Sequence, residues 1–111
     1  MNAGSMLVLL LAIVSEVVGT VALKASEGFA RLGPTLLVVV GYGLTFYFLG
    51  LALKQIPLGV AYAIWSGVGT AAIALIGFVW FKESINRLKI LSIALILVGV
   101  LGLELARVTE L

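Results

Sequence analysis

The chain has no cysteine and no histidine, and only 11% of its 111 residues are charged. Without thiols there is no disulfide framework and no thiolate nucleophile, and without either residue type no zinc or haem ligand set can be assembled. Catalysis that depends on Cys, His or a transition metal is excluded, and no cofactor is expected. There is no glycine-rich phosphate loop, so no ATP site is expected either. The charge content lies far below the roughly 25% of an average soluble domain. The net charge of +2 comes from scattered basic residues, which excludes the basic patch that nucleic acid requires and suits contact with lipid headgroups instead. Proline is nearly absent, and Pro34 and Pro57 fall where each would open a helix rather than kink one.

What fills the chain is apolar, 63% of it. Residues 6–23, 34–53, 58–81 and 90–106 form four stretches, each close to the 17 to 25 residues, at about 1.5 Å per residue, that a helix needs to cross the hydrocarbon core. The first has no basic segment before it and carries a glutamate, so it reads as a permanent span rather than a secretory signal. The pattern predicts an all-α membrane protein of four transmembrane helices, with residues 1–111 as one unit. Short connections make each helix antiparallel to the next. Loops one and three then share a face and hold Lys24, Arg31, Lys82, Arg87 and Lys89, whereas the other face holds Lys54 and Arg107. By the positive-inside rule this excess places loops one and three in the cytoplasm.

Glu16 is the one acidic residue deep inside a span. A charge there costs roughly 2.5 to 3.5 kcal/mol on insertion scales, which makes an intramembrane carboxyl a functional candidate, with helix-to-helix glue as the plainer role. Leu9, Ala12, Gly19 and Thr20 lie on its helical face. All but Leu9 are small or polar, and they leave room either for a ligand or for a packed helix. Tyr42 and Phe46 share a face of the second span, and Tyr62, Trp65, Ser66 and Gly69 share a face of the third. Aromatic rings opposite a carboxylate suit a hydrophobic cation, held by ring quadrupoles and one point charge. Gly67 and Gly69 form either a hinge or a close-packing patch. In the fourth span Leu91, Ala94, Leu95, Val98, Gly99 and Gly102 make a small and aliphatic stripe suited to helix pairing. Glu104, near the end of that span, is expected to reach headgroups.

Three segments carry a resemblance: Glu16-Val17-Val18-Gly19-Thr20, then Lys24 to Phe29 followed by Arg31 and Pro34, and Ile56-Pro57 leading into Ala61-Tyr62-Ala63-Ile64-Trp65-Ser66-Gly67-Val68-Gly69. On these the chain resembles the small multidrug resistance transporters, in particular the exporters of quaternary ammonium compounds and multiple drugs, and the likeness spans essentially its whole length. It implies a secondary active transporter rather than an enzyme, in a bacterial inner membrane, that exchanges protons for hydrophobic or quaternary ammonium cations. It further implies an antiparallel, dual-topology homodimer. Residue by residue, Glu16 is implied as the shared proton and cation site, Tyr42, Tyr62 and Trp65 as aromatic walls, and Ser66 as a polar partner of the glutamate. Gly67 and Gly69 match the family's helix kink, and the fourth span matches its dimerisation helix around Gly99. Tyr47, Lys54 and Glu104 depart from the multidrug pattern and bear on substrate range and orientation. Other readings are a guanidinium-type exporter, one subunit of a heterodimeric polyamine or lipid exporter of the same fold, and, in a different class, a structural or proton-ring membrane subunit.

Overall fold

A computed structural model describes residues 3–109, with side chains through Ala106, so the Arg107 charge in the orientation count lies outside the described residues. Four helices follow one another: α1 (Ala3–Ala25), α2 (Leu32–Ala52), α3 (Leu58–Val79) and α4 (Arg87–Thr109). All four are long and apolar enough to cross a membrane. Away from their ends their charge is confined to Glu16 and Glu104, with a few hydroxyl residues such as Thr20, Thr45 and Ser66, and a helix pairs its interior backbone groups within itself, as lipid requires.

Local chemistry sets the boundaries. α1 stops at a turn in which Glu27, Gly28 and Phe29 have φ of 52°, 69° and 68°. Left-handed backbone costs about 1–2 kcal/mol at each non-glycine residue, and Ser26 compensates with several bonds. Its carbonyl accepts from the N–H groups of Ala30 (2.9 Å) and Arg31 (3.1 Å). Its fully buried hydroxyl donates to the Leu23 carbonyl (2.8 Å) and accepts from the Phe29 N–H (3.0 Å). Pro34 lies in the first turn of α2, and Pro57 is the cap residue of α3, as expected for a ring that removes an N–H with no helical partner to lose. α3 closes with Lys82 in the left-handed region (φ 56°) and the Glu83 N–H returning to the Gly77 carbonyl at 2.9 Å, a seven-residue loop that takes up one of the carbonyls left open at the helix end. α4 begins three residues before the apolar stretch because Asn86 caps it: its Oδ1 accepts from the Lys89 N–H at 2.9 Å.

The helices form a slab with principal extents of 48 × 35 × 17 Å. α1 lies in the middle with α2 along one side and α3 along the other, and α4 leans on α3. α1 and α2 meet almost backbone to backbone. A Cβ at Gly41 would lie 2.9 Å from the Gly19 Cα and 3.0 Å from the Ser15 carbonyl oxygen, so only glycine fits. The apolar core gathers at the end shared by the start of α1 and the second loop, from Leu9, Ala12 and Ile13 of α1, Leu49 and Ala52 of α2, Ile56, and Ala61 and Ile64 of α3. Beyond that plug, toward loops one and three, α1 and α3 part. No described side chain of α4 is buried.

Candidate functional site

Where α1 and α3 part, a cleft of about 420 Å³ opens between them. Its single charge is Glu16, which sits half-buried on α1. The opposite wall is one face of α3, beginning with Tyr62 and Trp65 and continuing through Ser66, Gly69, Thr70, Ile73 and Ala74. A volume of this size lies in the range of small-molecule sites, mostly apolar walls with a few placed polar groups.

The two oxygens of Glu16 have different surroundings. Oε1 accepts a hydrogen bond of 2.8 Å from the Thr20 hydroxyl one turn along α1. Thr20 Oγ1 is in turn 2.6 Å from the Tyr42 hydroxyl on α2. A threonine has one hydroxyl proton, so while Thr20 donates to Glu16 the phenol must donate to Thr20. The chain Tyr42 to Thr20 to Glu16 is thus polarised toward the carboxylate, and it can run in reverse when the carboxyl carries a proton. Oε2 accepts no hydrogen bond among the described residues and lies beside Gly69, where a Cβ would be 3.3 Å away. The bare α3 backbone at Gly69 makes room for that oxygen.

The aromatic side of the cleft is a pair. Tyr62 and Trp65 meet edge to face, with centroids 5.1 Å apart and planes at 73°, a favoured geometry for neighbouring rings. Tyr62 stands at the rim, 56% exposed, and Trp65 is half-buried. The indole Nε1 of Trp65 is buried without a partner among the described residues, at a cost of about 1–3 kcal/mol for a donor left unmade. Ser66 lines the cleft, but its hydroxyl donates to the Tyr62 carbonyl at 2.7 Å rather than to Glu16.

Glu16, Thr20, Tyr62, Trp65, Ser66 and Gly69 are therefore brought together, with Tyr42 joined to them through Thr20. Leu9 and Ala12 are instead fully buried in the core, because they lie two turns and one turn, respectively, toward the plugged end. Gly19 packs on Gly41 and Tyr42 of α2, and Phe46 is 64% exposed on the outer side of α2. Gly67 faces away from the cleft toward α4, where a Cβ would collide with Val100 and crowd Ile96. α3 runs as one helix through both glycines. On α4, Leu91, Ala94, Leu95, Val98, Gly99 and Gly102 are all exposed, and a Cβ at either glycine would meet nothing. Thr70, Ile73 and Ala74 extend the wall unanticipated, although stepping three and four residues on from Ser66 and Gly69 along the same face reaches them.

Residues 5–96 match the family described as Small Multidrug Resistance protein. The multidrug resistance protein EbrA of Bacillus licheniformis is 49% identical over 98 residues, covering 88% of this chain and 93% of the relative. The quaternary ammonium compound-resistance protein QacE of Escherichia coli is 48% identical over 99 residues, 89% of this chain and 90% of the relative. An uncharacterized membrane protein of Bacillus subtilis, YvaE, is 48% identical over 97 residues, 87% of this chain and 82% of its own. Four spans and bacterial relatives make this a multi-pass protein of a bacterial inner membrane. With a match over most of its length and identities of this size, the chain belongs to the small multidrug resistance family.

Proposed function

We propose that the chain is a proton-coupled antiporter that exports hydrophobic or quaternary ammonium cations, with protons and substrate competing for Glu16. The observation that carries this reading is the cleft itself, in which one carboxylate with a free oxygen faces the Tyr62 and Trp65 rings across an otherwise uncharged space. A lone carboxylate at membrane depth is costly unless neutralised. A proton neutralises it, and so does a lipophilic cation whose remaining surface rests on aromatic rings. One ligand must leave before the other binds, and that exclusion is the coupling. Because the walls offer few directed donors, shape and charge select the cargo. The names of EbrA and QacE, resistance proteins for multiple drugs and for quaternary ammonium compounds, support that substrate class.

The working unit in this reading is an antiparallel homodimer. Antiport needs two states of similar energy, open to opposite sides, and inverted repeats are the usual source of them. Two inverted copies supply that symmetry, close the open side of the cleft, and bring two Glu16 carboxyls into one chamber. The unpaired Trp65 N–H and the uncovered ridge of α4 are groups that such a partner would satisfy. The driving force is sufficient, since each pH unit supplies about 1.4 kcal/mol and each charge crossing 100 mV about 2.3 kcal/mol.

The test is uptake of tetraphenylphosphonium and of guanidinium into proteoliposomes under an imposed pH gradient. Gradient-driven movement of tetraphenylphosphonium, abolished by Glu16→Gln, is the expected result. Movement of guanidinium alone would overturn the substrate class, and movement of neither by the homomeric protein would point to an obligate partner or a non-transport role.

A further inference from the structure

A second, smaller chamber continues the same α1–α3 seam. It has a volume of about 60 Å³, and its walls are Thr20 and Val21 of α1 with Ile73, Ile76, Gly77 and Phe81 from α3 and the turn after it. Thr20 and Ile73 also line the Glu16 cleft, so the two spaces are neighbours with shared walls. Glu83 completes the lining of the chamber. Its backbone N–H is tied to the Gly77 carbonyl, which turns the chain back over α3. Its carboxylate then lies on the bare backbone of Gly77, where a Cβ would be 2.5 Å from Oε1 and 3.0 Å from Cδ. Glu83 is exposed on its other side. One carboxylate thus borders both the water at the face of loops one and three and a narrow, half-open chamber whose walls include Thr20.

Size decides what can use this route. A water needs roughly 10–15 Å³ of such space and a polar site with two or more partners, which the Glu83 carboxylate and the Thr20 hydroxyl supply. The chamber has room for a few waters and about a seventh of the volume of the Glu16 cleft. Gly69 and Gly77, the two α3 glycines that receive carboxylates, are eight residues apart, about 12 Å along the helix at 1.5 Å per residue, a span that a short chain of hydroxyl and water can bridge.

We propose that Glu83 is a proton relay to Glu16, passing protons through chamber water and the Thr20 hydroxyl. The proposal rests on the antiport reading. In the inward step the Glu83 carboxylic acid gives its proton to water, that water gives one of its own to Thr20 Oγ1, and Thr20 gives its hydroxyl proton to Glu16. Glu83 ends as carboxylate and Glu16 as carboxylic acid, water and Thr20 are regenerated, and no heavy-atom bond changes. The charged and titratable groups around Glu83 are Lys24 of α1, whose Nζ lies 6.0 Å from the Phe81 ring centroid, Lys82 beside it in the turn, and Lys89 of α4. Lys89 donates to the Ser84 carbonyl and hydroxyl at 2.8 Å each. None of these ammonium groups pairs with the Glu83 carboxylate among the described residues. In an antiparallel pair one Glu83 would face each side of the membrane, giving each compartment its own proton path to the shared chamber.

The test is a stopped-flow pH jump on the purified homodimer loaded with tetraphenylphosphonium. Glu83→Gln is expected to keep its equilibrium affinity at alkaline pH within about twofold and to slow acid-driven cation release by about tenfold or more. Glu83→Asp should recover part of the rate, and added formate should restore it in Glu83→Gln, which a purely structural role would not allow. Gly77→Ala, which displaces the carboxylate without removing it, should slow release in the same sense. An undiminished rate in Glu83→Gln, or a slow rate that formate leaves unchanged, overturns the relay alone. A wild type that releases no cation on acidification overturns the antiport reading and the relay with it.

Discussion

Thr20 is the residue on which the site's electrostatics turn. Its hydroxyl is the only donor on Glu16 Oε1 among the described residues, and it passes the influence of Tyr42 across the α1–α2 interface. A hydrogen bond to a charged group contributes about 1.5–3 kcal/mol, so Thr20→Val is expected to weaken tetraphenylphosphonium binding by about tenfold or more, measured by equilibrium dialysis at alkaline pH. Tyr42→Phe, one bond further away, should cost less. That Glu16 is the candidate at the centre of the site is legible from sequence because a carboxyl amid apolar residues has no inexpensive explanation. The bond to Thr20 is suggested by their four-residue spacing. The bond to Tyr42 is not, because it depends on how closely α1 and α2 approach, and that is set by Gly41 meeting Gly19. Leu9 and Ala12 show the converse. Periodicity gives the face of a helix but not what covers each level of it, and their level is the core.

At the scale of elements, the two faces of α4 have different work. One face carries Ile96 and Val100 against Gly67 of α3, with Gly99 at the edge of the same groove, and the other carries the uncovered ridge of Leu91, Leu95, Val98 and Gly102. Gly67→Ala pushes a methyl into Val100, and overpacking of this kind costs about 1–3 kcal/mol. It is expected to lower the stability of the folded chain, read as helicity lost during titration with sodium dodecyl sulfate. Gly102→Phe, on the outer ridge where an added Cβ meets nothing, should leave helicity unchanged while halving the particle mass in mild detergent. A dimeric Gly102→Phe protein would remove that ridge of α4 from the interface. A small-residue stripe suited to pairing is readable in α4, whereas the division between an inner and an outer face needs the packed structure. The boundaries of α3 and α4 were similarly beyond apolar periodicity alone, because the Glu83 return to Gly77 and the Asn86 cap are polar events just outside the hydrophobic runs.

The whole molecule is a thin slab of four spans, plugged at one end and split at the other, with its central carboxylate at the start of the split. This shape follows from where bulk is placed along α1 and α3. Leu9, Ile13 and Ile64 fill the space between helices below Glu16, while Gly69 and Gly77 leave it open above. The open side and the exposed α4 make the single chain an incomplete chamber, and an inverted second copy completes it in the proposed antiporter. The class of fold was readable from composition and span length alone. The seam that runs from Glu16 past Thr20 to Glu83 was not, because a glutamate in a short polar loop looks like any headgroup contact until the loop is seen to fold back.

The central claim is that a proton and a cation compete for one carboxylate, and the most direct measurement counts protons. Tetraphenylphosphonium is added to the detergent-solubilised protein in weakly buffered solution near neutral pH while a dye or electrode follows acidification. Wild type is expected to release protons in proportion to cation bound, and Glu16→Gln to release none and bind weakly. Cation binding by wild type without proton release, or equal release from Glu16→Gln, would contradict the claim.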